Sequence, residues 1–252
     1  MKSEQFVFGV HAAHALLRDR AHQVLRLLIA RNDDASAQTL LELAQTAGIE
    51  TQRCERRALD ELTQGAAHQG VVAFCHGFPE WDESALLKRI DAQTEPALLL
   101  VLDGVQDPHN LGACLRTANA AGVHAVIVPR DRACGLTPTV VKVASGAVGL
   151  VPFARVVNLA RCLRTLGERG IWIVGTADQA SESLYDAQLG GALALIMGAE
   201  GRGLRRLTRD SCDAIVGIPM LGDVGSLNVS VATGVVLFEA LRQRGGIAPL
   251  PD

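Results

Sequence analysis

Five polar residues in three separate stretches have the types and spacing to act on a bound ligand: Asn110 with Arg116, Glu200, and Ser226 with Asn228. Ser226 and Asn228 suit a helix start, where a short side-chain oxygen accepts from unpaired backbone amides. They follow a loop containing Gly222 and Gly225. They precede Ser230, Ala232, Thr233 and Gly234, small residues that let another backbone or a flat ligand come close. Arg116 lies among Ala113, Thr117, Ala118, Ala120 and Ala121, in a helix small enough in side chains to pack closely, so its charge calls for an anionic partner. Glu200 sits in Gly198-Ala199-Glu200-Gly201-Arg202-Gly203, where glycines let backbone approach a ligand and the next helix start favours negative charge. No Cys or His stands where it would serve as a covalent nucleophile, and no cluster has metal-ligand spacing, so no metal is expected.

These residues need a scaffold, and the chain from Ala97 onward supplies one. Apolar runs at 97–102, 125–128, 153–157, 171–176, 192–197 and 214–218 read as strands buried on both faces, as in a parallel sheet. Helices fit between them at 111–121, 139–147, 159–169, 204–209 and 228–244. This is a doubly wound α/β domain, whose ligands bind outside the carboxyl ends of the strands. The three polar stretches each follow a strand end, which brings them to one crevice. Asn110 opens its helix, and Arg116, six residues on, points to roughly the opposite azimuth. Arg202, Arg205, Arg206 and Arg209 follow the glycine loop, spaced to share one helix face. They form either a solvated face or a stripe for RNA phosphates.

The preceding residues form a smaller α/β unit. Helices read at 9–17, 36–47 and 58–63, and strands at 24–30, 49–54 and 71–75. Eight Lys/Arg stand against nine Asp/Glu over residues 1–75, so the unit is nearly neutral. His68-Gln69-Gly70 either holds a turn or reaches a base or phosphate. Residues 77–95 read as a linker carrying a short charged helix.

At 252 residues, 48% hydrophobic and with 25 glycines, the chain suits an α/β protein with ample core and many tight turns. The net charge of −3 advertises no global basic field for nucleic acid, though it permits a local patch. Six cysteines without a C-x-x-C pair read as reduced thiols. The absence of a long apolar run or signal-peptide layout points to the cytoplasm.

The three stretches resemble the three motifs of the SpoU (TrmH-like) RNA ribose 2'-O-methyltransferases. The residues that match are Leu102-Asp103, Asp107-Pro108-His109-Asn110-Leu111-Gly112 and Arg116-Thr117-Ala118; Met197-Gly198-Ala199-Glu200-Gly201; and Ile218-Pro219-Met220 with Ser226-Leu227-Asn228-Val229-Ser230-Val231-Ala232. Phe8-Gly9-Val10-His11-Ala12 and His68-Gln69-Gly70-Val71 resemble the ribosomal-protein-like substrate-binding domain of the branch that methylates a guanosine ribose in 23S ribosomal RNA.

The resemblance implies an RNA-binding domain over 1–76, a linker over 77–95, and a methyltransferase domain over 96–252 tied in a C-terminal trefoil knot. It implies a homodimer, 23S ribosomal RNA as substrate, and S-adenosylmethionine held by backbone at Gly198, Ile218 and Leu227. Arg116 becomes the main catalytic residue, with Asn110, Glu200, Ser226 and Asn228 shaping the site. Two departures bear on packing or RNA contacts: members often carry a glutamate near Gly149, before Val151-Pro152, and a polar residue at Gly225. Transfer RNA as substrate, or a silent RNA binder, are the alternatives. A nucleotide-dependent oxidoreductase fits the sheet, but the G-x-x-G-x-G spacing is not the dinucleotide fingerprint.

Overall fold

The computed structural model of the chain describes residues 5–30, 34–199 and 201–245. They fall into two compact units, one within 1–79 and 136–150 and the other within 80–135 and 151–252.

The first unit begins with β1 (Gln5–Phe8), α1 (Val10–Arg20), β2 (Val24–Ile29), α2 (Ala35–Thr46), β3 (Glu50–Arg53), α3 (Arg56–Thr63) and β4 (Val71–Cys75). Its sheet runs β1-β4-β2-β3, with β4 antiparallel to both neighbours and β2 parallel to β3. Asp34 caps α2 by accepting from the Ala37 amide at 2.8 Å. No side chain at Gly9 can do this for α1, and its φ of 96° suits glycine. Gln69 serves instead, its Oε1 accepting from the Val10 amide at 3.1 Å. His68 is buried, and its Nδ1 accepts the Gly70 amide at 3.0 Å. That bond assigns the proton to Nε2, which donates to Asp60 Oδ1 at 2.8 Å. Of its two readings, His68 takes the turn-holding one.

The second unit opens with β5 (Glu80–Trp81), α4 (Glu83–Asp91), β6 (Leu98–Asp103), α5 (Pro108–Ala120) and β7 (Ala125–Pro129). The stretch read as a linker thus holds two elements, and Leu86 of α4 joins the core of this unit. Next comes α6 (Pro138–Val143), read from the sequence as a crossover of the parallel domain. It packs instead near β1, in the first unit. Periodicity shows that a helix has an apolar face but not which core receives it. Contact there is close, because a Cβ on Gly146 would stand 2.1 Å from the Ala12 Cβ. Gly149 is packed beneath Phe78 and Leu16, both under 3.5 Å from where its Cβ would lie, so a side chain there would need these two to shift.

The chain then completes the second unit with β8 (Phe153–Val156), α7 (Leu159–Gly167), β9 (Trp172–Thr176), β10 (Glu182–Ser183), β11 (Leu193–Gly198), α8 (Arg206–Arg209), β12 (Ala214–Gly217) and α9 (Val229–Gln243). The sheet order is β10-β12-β9-β11-β6-β7-β8-β5, with every pairing parallel. All six residues of β6 are buried, as an internal parallel strand requires. Leu99, Val101, Ile127, Ile173 and Ile196 meet Leu163 and Leu166 of α7 in one core, each stabilising by roughly 1.5–3 kcal/mol.

The connections diverge between β6 and β11. After β6 the chain moves to β7 and β8, whereas β9 and β12 lie beyond β11. Such a switch point opens a crevice at the carboxyl ends. Over it α9 packs on α5, with Cys114 Sγ 3.5 Å from Thr233 Oγ1 and Gly234 facing Thr117. Among the described residues no helix is long and apolar enough to cross a membrane. None of the six cysteines is in a disulfide, and burial pushes the thiols of Cys75, Cys162 and Cys212 up to about 12.

Candidate active site

Register places Gly198, the last residue of β11, directly beside Asp103, the last of β6. Everything in the crevice follows from that pairing. A carboxylate ending an otherwise apolar buried strand needs a partner. Asp103 Oδ2 accepts the Arg205 amide at 3.0 Å, and its Oδ1 accepts from the Arg205 guanidinium. The loop after β11 is thereby anchored to the end of β6. Between the anchors the loop folds back on itself, with the Gly203 amide donating to the Ala199 carbonyl at 2.8 Å. A Cβ on Gly198 would lie 2.4 Å from the Gly203 carbonyl carbon, so this turn has no room for a side chain at that position. Glu200 lies outside the described residues.

The arginine stripe read from the sequence is altered by this arrangement. The helix starts at Arg206, so Arg202 and Arg205 precede it and share no helix face with Arg206 and Arg209. Arg205 is committed to Asp103. The sequence placed Asp103 in the first motif but gave it no role, although a charged residue at the end of an apolar strand calls for a partner.

A cleft of about 680 Å³ opens at the ends of β9, β11 and β12. Its walls include Met197, Gly198, Leu204, Ile218, Ser226, Leu227, Asn228 and Ala232. The three residues expected to offer backbone to a cofactor, Gly198, Ile218 and Leu227, therefore border one cavity. A second cavity of about 400 Å³ adjoins it, because Ala199, Arg202, Gly203 and Val229 border both. Asn110 lines this second cavity.

The two asparagines meet where the cavities join. Asn228 caps α9, its Oδ1 accepting from the Ser230 amide at 2.9 Å and the Ser230 hydroxyl at 2.6 Å. With its oxygen engaged, the amide Nδ2 donates to Asn110 Oδ1 at 3.0 Å. Asn110 does not open α5, as the sequence suggested. Asp107 caps that helix by accepting from the His109 amide at 2.9 Å, and Pro108 occupies the first turn. Asn110 is thus already helical and directed toward α9.

Arg116 is brought to neither cavity. It is exposed on α5, six residues and about 120° round the helix from Asn110. Asn110, Ser226, Asn228, Gly198, Ile218 and Leu227 thus gather at the crevice, whereas Arg116 stands apart from it within one copy.

An all-parallel α/β sheet with a glycine-built cleft at its switch point is the architecture of a ligand-binding enzyme. The chain belongs to the SpoU rRNA Methylase family, whose model matches residues 97–238. Residues 6–81 match the model for RNA 2'-O ribose methyltransferase substrate binding. The chain is 52% identical to the 23S rRNA (guanosine-2'-O-)-methyltransferase RlmB of Pseudomonas syringae pv. tomato, with 97% of this chain and 98% of that one covered. It is 53% identical to the same enzyme of Vibrio cholerae, covering 96% and 98%. Among solved structures, the SpoU methyltransferase AviRb of Streptomyces viridochromogenes in complex with AdoMet superposes with a TM-score of 0.74. That pair is 29% identical over 96% of this chain and 90% of the other.

Proposed function

We propose that this protein methylates the ribose 2'-hydroxyl of a guanosine in 23S ribosomal RNA, with S-adenosylmethionine as donor. One observation carries the reading: the paired Asn110 and Asn228 stand where a cofactor-sized cleft adjoins a second cavity, in a chain about half identical to enzymes named for that reaction. The cleft fits the cofactor. It has room for a nucleoside and an amino-acid tail, apolar walls at Met197, Leu204, Ile218 and Leu227, and backbone laid bare at Gly198, Gly201 and Gly203. Bound there, S-adenosylmethionine supplies an already electrophilic methyl group.

The protein's own task is to hold the acceptor hydroxyl in line and stabilise charge as it develops. Asn228, fixed through Ser230 and Asn110, holds the junction between the cavities rigid. Ser226 borders the cleft beside it, and Glu200 belongs to the same proposed set. Arg116 stabilises the developing alkoxide, which is easier for a guanidinium than acting as a base. Within one copy it is outside the cleft, and this supports a homodimer. On α9, which packs against α5, Val231 and Phe238 are 53% and 47% exposed and stand two turns apart. Pairing two copies over this face covers the apolar stripe and sets Arg116, at its rim, against the neighbouring site.

The first unit supplies an RNA-holding surface, and the protein acts in the cytoplasm. A trefoil knot belongs to the same reading, supported by the return of the chain from β12 across the crevice to α5. Arg116→Ala tests the assignment. Methyl transfer to 23S RNA should fall by at least about 100-fold, the effect of losing a charge-stabilising donor, while calorimetric S-adenosylmethionine affinity stays within about twofold. An equal fall in both would remove Arg116 from the reaction.

A further inference from the structure

The 400 Å³ cavity holds a residue that neither the sequence motifs nor the reading above uses. Arg132 lines it, together with Arg202 and Asn110. Its backbone sits in the left-handed region, at φ 63°. That conformation is costly for a non-glycine residue, and such strain gathers at functional sites. Here surrounding contacts enforce it. The Cys134 amide donates to the Val105 carbonyl at 2.9 Å, tying this loop to the one after β6. Gly104, at φ 93°, lies beneath both the Arg132 carbonyl oxygen and the Ala199 Cβ, each under 4 Å from where its own Cβ would be. Three loops thus converge on one glycine, and the strained residue at the convergence is an arginine.

The charges around the cavity have different commitments. Arg205 is neutralised by Asp103, and Asp107 accepts from the first turn of α5. Among the described residues, the Arg132 and Arg202 guanidinium groups make no hydrogen bond or ion pair, so both charges remain available. Two forked cations bordering a cavity beside the paired asparagines match a phosphodiester, whose oxygens take bidentate N–H donors.

We propose that Arg132, with Arg202 of the same cavity wall, grips the RNA phosphate next to the target ribose and so sets the 2'-hydroxyl at the junction with the cofactor cleft. Arg132 is a positioning residue in this scheme. The proposal rests on the methyltransferase reading of the cleft.

The test uses the full-length protein and a 23S RNA fragment, comparing wild type with Arg132→Ala, Arg132→Lys and Arg132→Gly. The alanine and glycine variants should raise the RNA KM about tenfold or more, leave S-adenosylmethionine affinity unchanged, and partly recover with lysine. The logarithmic salt dependence of RNA binding should become shallower by about 0.7, the value for one fewer phosphate neutralised on a single strand. The glycine variant, freed of backbone strain, should melt no lower than wild type and still fail to grip the RNA. An unchanged KM and salt slope in Arg132→Ala would overturn the proposal. So would a parallel loss of cofactor affinity, which marks a merely structural residue. If wild type binds S-adenosylmethionine yet methylates no RNA, the functional reading falls, and the salt slope alone still decides whether Arg132 holds a phosphate.

Discussion

Replacing Asp103 by alanine should loosen the cofactor cleft without touching any residue that borders only that cleft. Asp103 has a fully buried carboxylate that receives both the amide and the guanidinium of Arg205. Breaking a fully buried pair costs about 3–5 kcal/mol, chiefly because the surviving charge is stranded. Arg205 is 41% exposed and can turn toward water, so the guanidinium's share falls away. What remains is a charge-assisted bond to a backbone amide together with a cavity, about 2–3 kcal/mol. For a chain of this size that corresponds to a melting shift of about 4–12 °C. Asparagine keeps an acceptor for the amide and should lose about half as much. The anchored loop carries Gly198, Gly201, Gly203 and Leu204 into the cleft, so S-adenosylmethionine binding should weaken in step with stability across the two variants. Scanning calorimetry and isothermal titration measure the two quantities. Unchanged cofactor affinity in a destabilised Asp103→Ala protein would refute the claim that this pair shapes the cleft.

Two further outcomes follow from local geometry. Gly198→Ala should abolish cofactor binding while leaving secondary structure intact by circular dichroism, because the new methyl meets the Gly203 and Leu204 backbone rather than a side chain able to move. Glu239 accepts from Arg242 and Gln243, and these hydrogen bonds hold its carboxyl down to about 2. A depressed carboxylate adds stability above its unfolded value near 4.3, and that stability is lost as pH falls from there toward 2. Arg242 is 63% exposed, so the contribution is on the order of 1 kcal/mol. Glu239→Gln should lower the melting temperature at pH 7 and bring no further loss on acidification from this residue, as pH-dependent thermal melts would show.

The sheet was legible because its strands are buried on both faces, and apolar runs such as Leu98–Asp103 and Leu193–Gly198 need no tertiary information to be seen. Asn110, Ser226 and Asn228 were legible as polar residues following such runs. Other features depend on contacts between residues distant in sequence. The α6 helix has an apolar face, yet only its packing near β1, with Gly146 close on Ala12, shows which core it joins. Arg205 read as one of four like arginines until its partner, 102 positions away, came into view. Arg132 carries no sequence mark at all, because its left-handed backbone is imposed by loops that meet it only in the fold. The position of Arg116 on α5 followed from helix geometry; a site for it was not legible, because the proposed homodimer lies beyond what one chain's sequence pattern can show.

Incubating the protein with unmodified 23S ribosomal RNA transcript and S-adenosylmethionine, then mapping bonds that resist alkaline cleavage, reads methyl transfer to a single ribose. A 2'-O-methyl group removes the nucleophile that alkali uses, so one modified ribose leaves one gap in the ladder. A single gap at a guanosine, absent without S-adenosylmethionine, is the predicted result. A ladder without a gap, from protein that binds S-adenosylmethionine and this RNA, would contradict the account, and a gap in transfer RNA instead would preserve the chemistry and overturn the substrate.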